Sequence, residues 1–168
     1  MLIFSLTIVA FGSINDAALI KQAKFFSRFE RFVDWSAEQN KRSPFIIGII
    51  GRNPFGKQLE KIYANITFTN RPITIKYLTS LEEIINCHIL YIAPIENFTI
   101  EEILNSSKGK GVFLISFHEG WAEKGVHLNY YIENGKHLKF ELNPYTSKRD
   151  NIYIDLKLLR LAKIVGDK

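Results

Sequence analysis

A chain of 168 residues with 22 Lys+Arg against 17 Asp+Glu carries a net charge of +5 and a pI near 9.3. It is long enough for one domain with a proper core and too short for two independent catalytic domains. Hydrophobic residues at 46% and charged residues at 23% exclude a disordered, collagenous or coiled-coil chain, and the single cysteine, Cys87, excludes an intramolecular disulfide framework and every multi-thiolate metal site.

Leu2 to Gly12 is apolar, and no charge occurs before Asp16. Its length fits a signal-peptide h-region and falls short of the roughly 20 residues that span a bilayer. The small-x-small pattern at Ala10, Phe11 and Gly12 places a signal peptide over residues 1–12, truncated at its start because no positive segment precedes Leu2, and leaves 13–168 as one domain. A buried first strand is the alternative reading. From Asn15 to Trp35, apolar Leu19, Ala23, Phe26, Phe29, Phe32 and Val33 recur at three-to-four spacing, which predicts an amphipathic helix capped by Asn15 or Asp16. Its other face carries Lys21, Lys24, Arg28 and Arg31, a candidate docking face for an acidic partner or anionic head groups, although such stripes are commonly just solvated.

After a polar linker, residues 45–50 are apolar on both sides, as in a buried parallel strand closed by Gly51. A helix is predicted over Pro54 to Ile66, a strand over Ile73 to Leu78, a short helix over Leu81 to Ile85 and a strand over Cys87 to Ala93. A helix over Phe98 to Leu104, the turn Gly109-Lys110-Gly111 and a strand over Val112 to Phe117 follow. This alternation predicts an α/β three-layer sandwich of flavodoxin/Rossmann-like type, a mostly parallel sheet with helices on both faces. Period-two alternation on either side of Asn134-Gly135 adds an antiparallel hairpin at one edge. Asp155 is read as the cap of a last helix that buries Leu158, Leu159, Ala162 and Val165.

The loop Gly51-Arg52-Asn53-Pro54-Phe55-Gly56-Lys57-Gln58 falls one residue short of a P-loop, because Gln58 stands where a magnesium-ligating Ser or Thr is required. No acid closes a later strand as a Walker-B aspartate would. A phosphate- or small-molecule-binding enzyme using Gly51 to Lys57 is therefore the alternative reading. The same loop sits at the carboxyl end of a parallel strand, where open α/β sheets place their ligand crevices, so Asn53, Phe55 and Gly56 are candidates for binding. Trp121, after a glycine, reads either as an exposed interface anchor or as a ring folded onto the sheet. His118 follows the fourth strand, where a general base would sit, without a nucleophile in an elbow context. His127 and His137 on opposing hairpin strands are candidates to face each other, but with no third ligand they read as surface histidines and no metal is assigned.

Several segments stand in a familiar order: Arg31-Phe32-Val33-Asp34-Trp35, the stretch from Gly48 to Gly56, Cys87-His88-Ile89-Leu90-Tyr91-Ile92, Phe140-Glu141-Leu142-Asn143 and Leu158 to Ala162. Together they resemble the YfiR-like family of small exported bacterial proteins over roughly residues 19–164. The resemblance implies a periplasmic regulator without catalysis or cofactor that represses a membrane-bound diguanylate cyclase through its periplasmic sensor domain, or serves a sensor kinase. Cyclic-di-GMP signalling and biofilm formation would be its output. It also implies no nucleic-acid partner and no stable membrane insertion of the mature domain, and leaves a homodimer open. Glu141 joins the candidate partner-binding residues on the strength of its segment. Ser36 stands where the family has a proline, Lys124-Gly125 replaces a glycine pair, and the cysteines that pair in some members are missing.

Overall fold

The computed structural model describes residues 8–166. It opens with α1 (Ile8–Phe25), tightens into a 3-10 helix over Phe26–Arg31, and passes through β1 (Val33–Asp34) and α2 (Ala37–Lys41) into β2 (Phe45–Ile50). Then come α3 (Gln58–Tyr63), β3 (Thr67–Phe68), β4 (Arg71–Leu78), a 3-10 helix over Leu81–Asn86, β5 (Ile89–Ile92), α4 (Ile100–Ser107), β6 (Phe113–Ser116) and α5 (Trp121–Lys124). The last part holds β7 (Leu128–Glu133), β8 (His137–Leu142), α6 (Pro144–Arg149), β9 (Tyr153–Ile154), α7 (Leu156–Leu159) and β10 (Lys163–Ile164). Of the expected signal segment, residues 1–7 lie outside the described residues, and residues 8–12 form the first turns of α1. Asn15 and Asp16 therefore lie inside the helix and not at its start. Among the described residues no helix is long and apolar enough to cross a membrane.

Eight strands form one sheet in the order β10-β8-β7-β6-β5-β2-β4-β3, and β1 pairs with β9 beside it. Strands β4, β2, β5, β6 and β7 are parallel, and in chain order these five run 2-1-3-4-5, the flavodoxin-like arrangement. The hairpin β7-β8 is antiparallel, with Asn134 and Gly135 both at positive φ in its turn, as a type I′ turn requires. It does not end the sheet, because β10 adds outside β8 in parallel. That pairing replaces the expected last helix: Asp155 Oδ1 accepts from Lys157 N at 2.6 Å, but α7 stops after one turn and Lys163 and Ile164 turn into the sheet.

Alternation along each buried strand builds two cores. Phe45, Ile47, Ile49, Tyr91, Phe113 and Leu128 face Phe26, Phe29, Leu59, Tyr63 and Leu158 on one side of the sheet. Ile46, Ile50, Leu90, Ile92 and Leu114 face Ile84, Ile100, Ile103 and Trp121 on the other. Gly48 is required by the second core, since a Cβ there would come within 2.5 Å of Cys87 Sγ. Cys87 lies just ahead of β5 and is fully buried, and that burial pushes its thiol up to about 12.

Two histidines, His88 and His127, the second of them expected on the surface, are buried and hold the amino-terminal edge of the sheet together. His88 Nδ1 accepts from Ile46 N at 3.0 Å, so its proton sits on Nε2, 3.1 Å from the Gln39 carbonyl oxygen it bonds. Its own carbonyl accepts from Trp35 Nε1 at 3.2 Å. His127 repeats the device: Nδ1 accepts from Leu114 N at 3.0 Å and Nε2 donates to Asp150 Oδ2 at 3.0 Å. His127 therefore does not face His137, which pairs with Glu133 at the far end of the hairpin. Burial, helped by the Arg71 and Arg42 charges, pushes the His88 imidazole down to about 4, and burial also lowers His127. Burial opposes ionisation of Asp150, but hydrogen bonds from His127, Arg149 and the Gly109 N–H hold its carboxyl well below the usual carboxylate range.

The unfolded chain therefore binds more protons than the folded one between about pH 6.5 and about pH 4. This stabilisation is complete above the unfolded histidine value and disappears as pH falls. Urea unfolding at pH 7 and pH 4.5 should show a loss on the order of 2 kcal/mol, and a pH-independent midpoint across that window refutes the neutral-histidine account. Gly48→Ala should destabilise by about 1–3 kcal/mol through overpacking. Adding Cys87→Ala should return part of that loss, and two strictly additive losses contradict the contact.

Candidate functional site

The strand order reverses between β2 and β5, the place where this topology usually opens a ligand crevice. Here the backbone closes it. Ala93 N donates to Ile50 O and Arg52 N to Pro94 O, both at 2.9 Å. Gly51, at φ +92°, packs so tightly that a Cβ would stand 2.7 Å from Pro94 O. Among the described residues three hollows remain here: about 260 Å³ beside Thr79 and Phe98, about 180 Å³ beside Pro54, His118 and Trp121, and about 310 Å³ between Leu19 and the turn, where Phe55 and Gly56 line it.

The residues expected to line the crevice are spent on the turn itself. Asn53 Oδ1 accepts from Phe55 N at 2.9 Å and Nδ2 donates to Gly56 O at 2.8 Å. Phe55 is a core residue, 4% exposed, whose ring meets Tyr91 and Phe26 edge to face at 4.8 and 5.9 Å. With Gln58 N donating to Phe55 O, the amides of Arg52, Phe55 and Gln58 all have protein acceptors, leaving these three without the free N–H groups from which a P-loop builds its phosphate cradle.

Trp121 is 7% exposed and stacks on His118 at 4.2 Å, so it folds back on the sheet and is no exposed anchor. Glu141 lies four strands from Asn53. It belongs to a polar row across the sheet: Ser116 Oγ donates to Asn129 Oδ1 at 2.6 Å, Asn129 Nδ2 to Glu141 Oε2 at 3.4 Å, and Lys163 Nζ to Glu141 Oε1 at 2.8 Å. This row pins β10 to the hairpin. Among the described residues no group of three or more His, Cys, Asp or Glu side chains is placed to hold a metal.

The basic stripe is the part of the predicted site that the fold assembles. Lys21, Lys24 and Arg28 form one wall of a groove of about 500 Å³, and Lys136, His137 and Lys139 of the hairpin line its other side. Arg31, one 3-10 turn beyond Arg28, does not line it. Phe25, Tyr130, Leu138 and Phe140 make the floor, with the Phe140 ring 6.4 Å from Phe25 and 6.3 Å from Tyr130. Glu133 reaches Lys139 at 3.9 Å. Among the described residues, no carboxylate pairs with Lys21, Lys24, Arg28 or Lys136.

The YfiR/HmsC-like family model (DUF4154) matches residues 21–163. The chain belongs to this family. The match starts on α1 at Lys21 and ends on β10 at Lys163, so it takes in all of the sheet but Ile164, both walls of the groove and the two histidines. No curated protein matches the chain. Among solved structures, the ABC domain in complex with L-Trp from Streptococcus pneumonia is similar with a TM-score of 0.55 at 14% identity, over 85% of this chain and 60% of that one. At that identity the likeness is one of fold alone.

Sequence reasoning found one wall of the groove and missed the other. Lys136 and Lys139 sit more than 100 residues after the stripe, and the only signal for them was the hairpin alternation that turns Leu138 and Phe140 toward the face covered by α1. Because the amides of Arg52, Phe55 and Gln58 are engaged, ATP or GTP with magnesium should leave the thermal unfolding midpoint unchanged and should not be hydrolysed. A nucleotide-dependent rise of several degrees that disappears in Lys57→Ala would restore the P-loop reading.

Proposed function

We propose that the protein is a periplasmic, non-catalytic regulator that binds the periplasmic part of a membrane-bound signalling enzyme, a diguanylate cyclase or a sensor kinase. Through that contact it sets cyclic-di-GMP or two-component output and with it biofilm formation. The observation that carries this reading is the family match across residues 21–163. Two further features support it. The loop where this topology most often places catalysis is closed by its own hydrogen bonds. The cations of α1 are concentrated on one wall, and such a surface speeds and selects association with an acidic partner more than it adds affinity.

Deleting the gene in its native host should change the cyclic-di-GMP concentration severalfold or shift the output of a sensor kinase. Tagged full-length protein should recover an integral membrane protein with a cyclase or kinase domain from solubilised membranes. The charge reversal Lys21→Glu/Lys24→Glu/Arg28→Glu should reduce that recovery by at least tenfold while leaving the unfolding midpoint in place. Unchanged signalling output together with recovery of soluble cytoplasmic enzymes alone overturns the reading.

A further inference from the structure

We infer that the groove between α1 and β8 is a binding site for one molecule of an anionic amphiphile of the fatty-acid type, its head group at the cationic rim and its aliphatic body along the floor. Charge is the first argument. Lys21, Lys24, Arg28, Lys136 and Lys139 are five cations, as many as the whole excess of +5 in the chain, and among the described residues Glu133, beside Lys139, is the one carboxylate paired with any of them. Lys21, Lys24 and Arg28 are spaced three and four residues apart, so like charges repel on one side of the helix, and the hairpin brings two more cations toward them. An anion relieves this repulsion from both walls at once.

The floor supplies the second argument. Phe25, Leu138 and Phe140 pack against the core yet stay half-buried, while the cations around them are exposed. Apolar surface left facing water beneath a charged rim is what a ligand with one charged end and one apolar end would cover. The volume of about 500 Å³ lies within the roughly 300–1,000 Å³ of small-molecule sites. Depth separates a free molecule from a bilayer. A membrane-lying surface sinks its apolar side chains into the lipid, whereas here the cations are the more exposed groups and would meet the head groups first, holding the floor away from the acyl chains. The same head group on a free fatty acid reaches the floor.

The full chain titrated calorimetrically with dodecanoate below its micelle concentration tests this. One saturable site per chain is expected, with no saturable binding of acetate, which lacks the body, or of dodecyltrimethylammonium, which reverses the head. Lys21→Gln/Lys24→Gln/Lys136→Gln changes only exposed side chains and should keep the unfolding midpoint while weakening dodecanoate at least tenfold. Absence of saturation overturns the assignment, as does undiminished affinity in the folded triple variant. Equal binding of the cationic amphiphile, or tight binding to phosphatidylglycerol vesicles that dodecanoate fails to displace, overturns it too. None of these readouts involves the signalling partner, so the site and the regulatory role fail separately.

Discussion

All six residues of β2 are buried, and Phe45, Ile47 and Ile49 look one way while Ile46 and Ile50 look the other. A strand that is apolar on both sides cannot face water on either, so each side of the sheet must carry a helical layer. One layer is α1, its 3-10 extension, α3 and α7; the other is the 81–86 turn, α4 and α5. Burying both faces also forces the backbone close where side chains are large, hence a glycine at position 48 opposite Cys87. The hairpin is where this arrangement runs out of cover. The ladder of β7 with β6 ends at Asn129, while β7 continues to Glu133, and its partner β8 leaves Leu138 and Phe140 half-buried beside α1. The groove is the gap between a sheet that extends and a cover that does not.

The amino-terminal edge of the sheet has a different difficulty, since backbone N–H groups there are buried and need acceptors. His88 and His127 meet it by remaining uncharged, each accepting a main-chain N–H through Nδ1 and donating through Nε2. Only the neutral ring can do both, because the cation has two donors and no acceptor. One partner is the Gln39 carbonyl of α2, the other the Asp150 carboxylate that ends α6, so the same pair also fastens two flanking segments to the sheet.

The sheet was legible because its strands are short apolar runs punctuated by glycine and proline, and Asn134-Gly135 announced the hairpin. What could not be read were elements that exist only through tertiary pairing. The two-residue strands β1 and β9 are defined by each other, and β10 by its register with Glu141 and Leu142; such lengths carry no periodicity of their own. The cap expected at Asn15 or Asp16 failed for a related reason, since local capping preference is overridden when the helix continues past it. At the candidate site, residue type misled twice. Asn53 has the chemistry of a ligand-binding residue but uses it on its own turn, and Phe55 in a loop sequence turned out to be core. The stripe at Lys21, Lys24 and Arg28 was legible at helical spacing, whereas its facing wall depended on where the hairpin lands.

Cys87 was notable in the sequence for being alone, and in the structure for touching Gly48. A thiol with no exposure and a raised ionisation threshold is invisible to oxidants and alkylating reagents while the chain stays folded. In an oxidising space the molecule is thus guarded against mixed disulfides and covalent dimers by packing alone. For the same reason any chemical labelling of Cys87 records an opening of the second core, which makes this one side chain a natural clock for how often the domain comes apart.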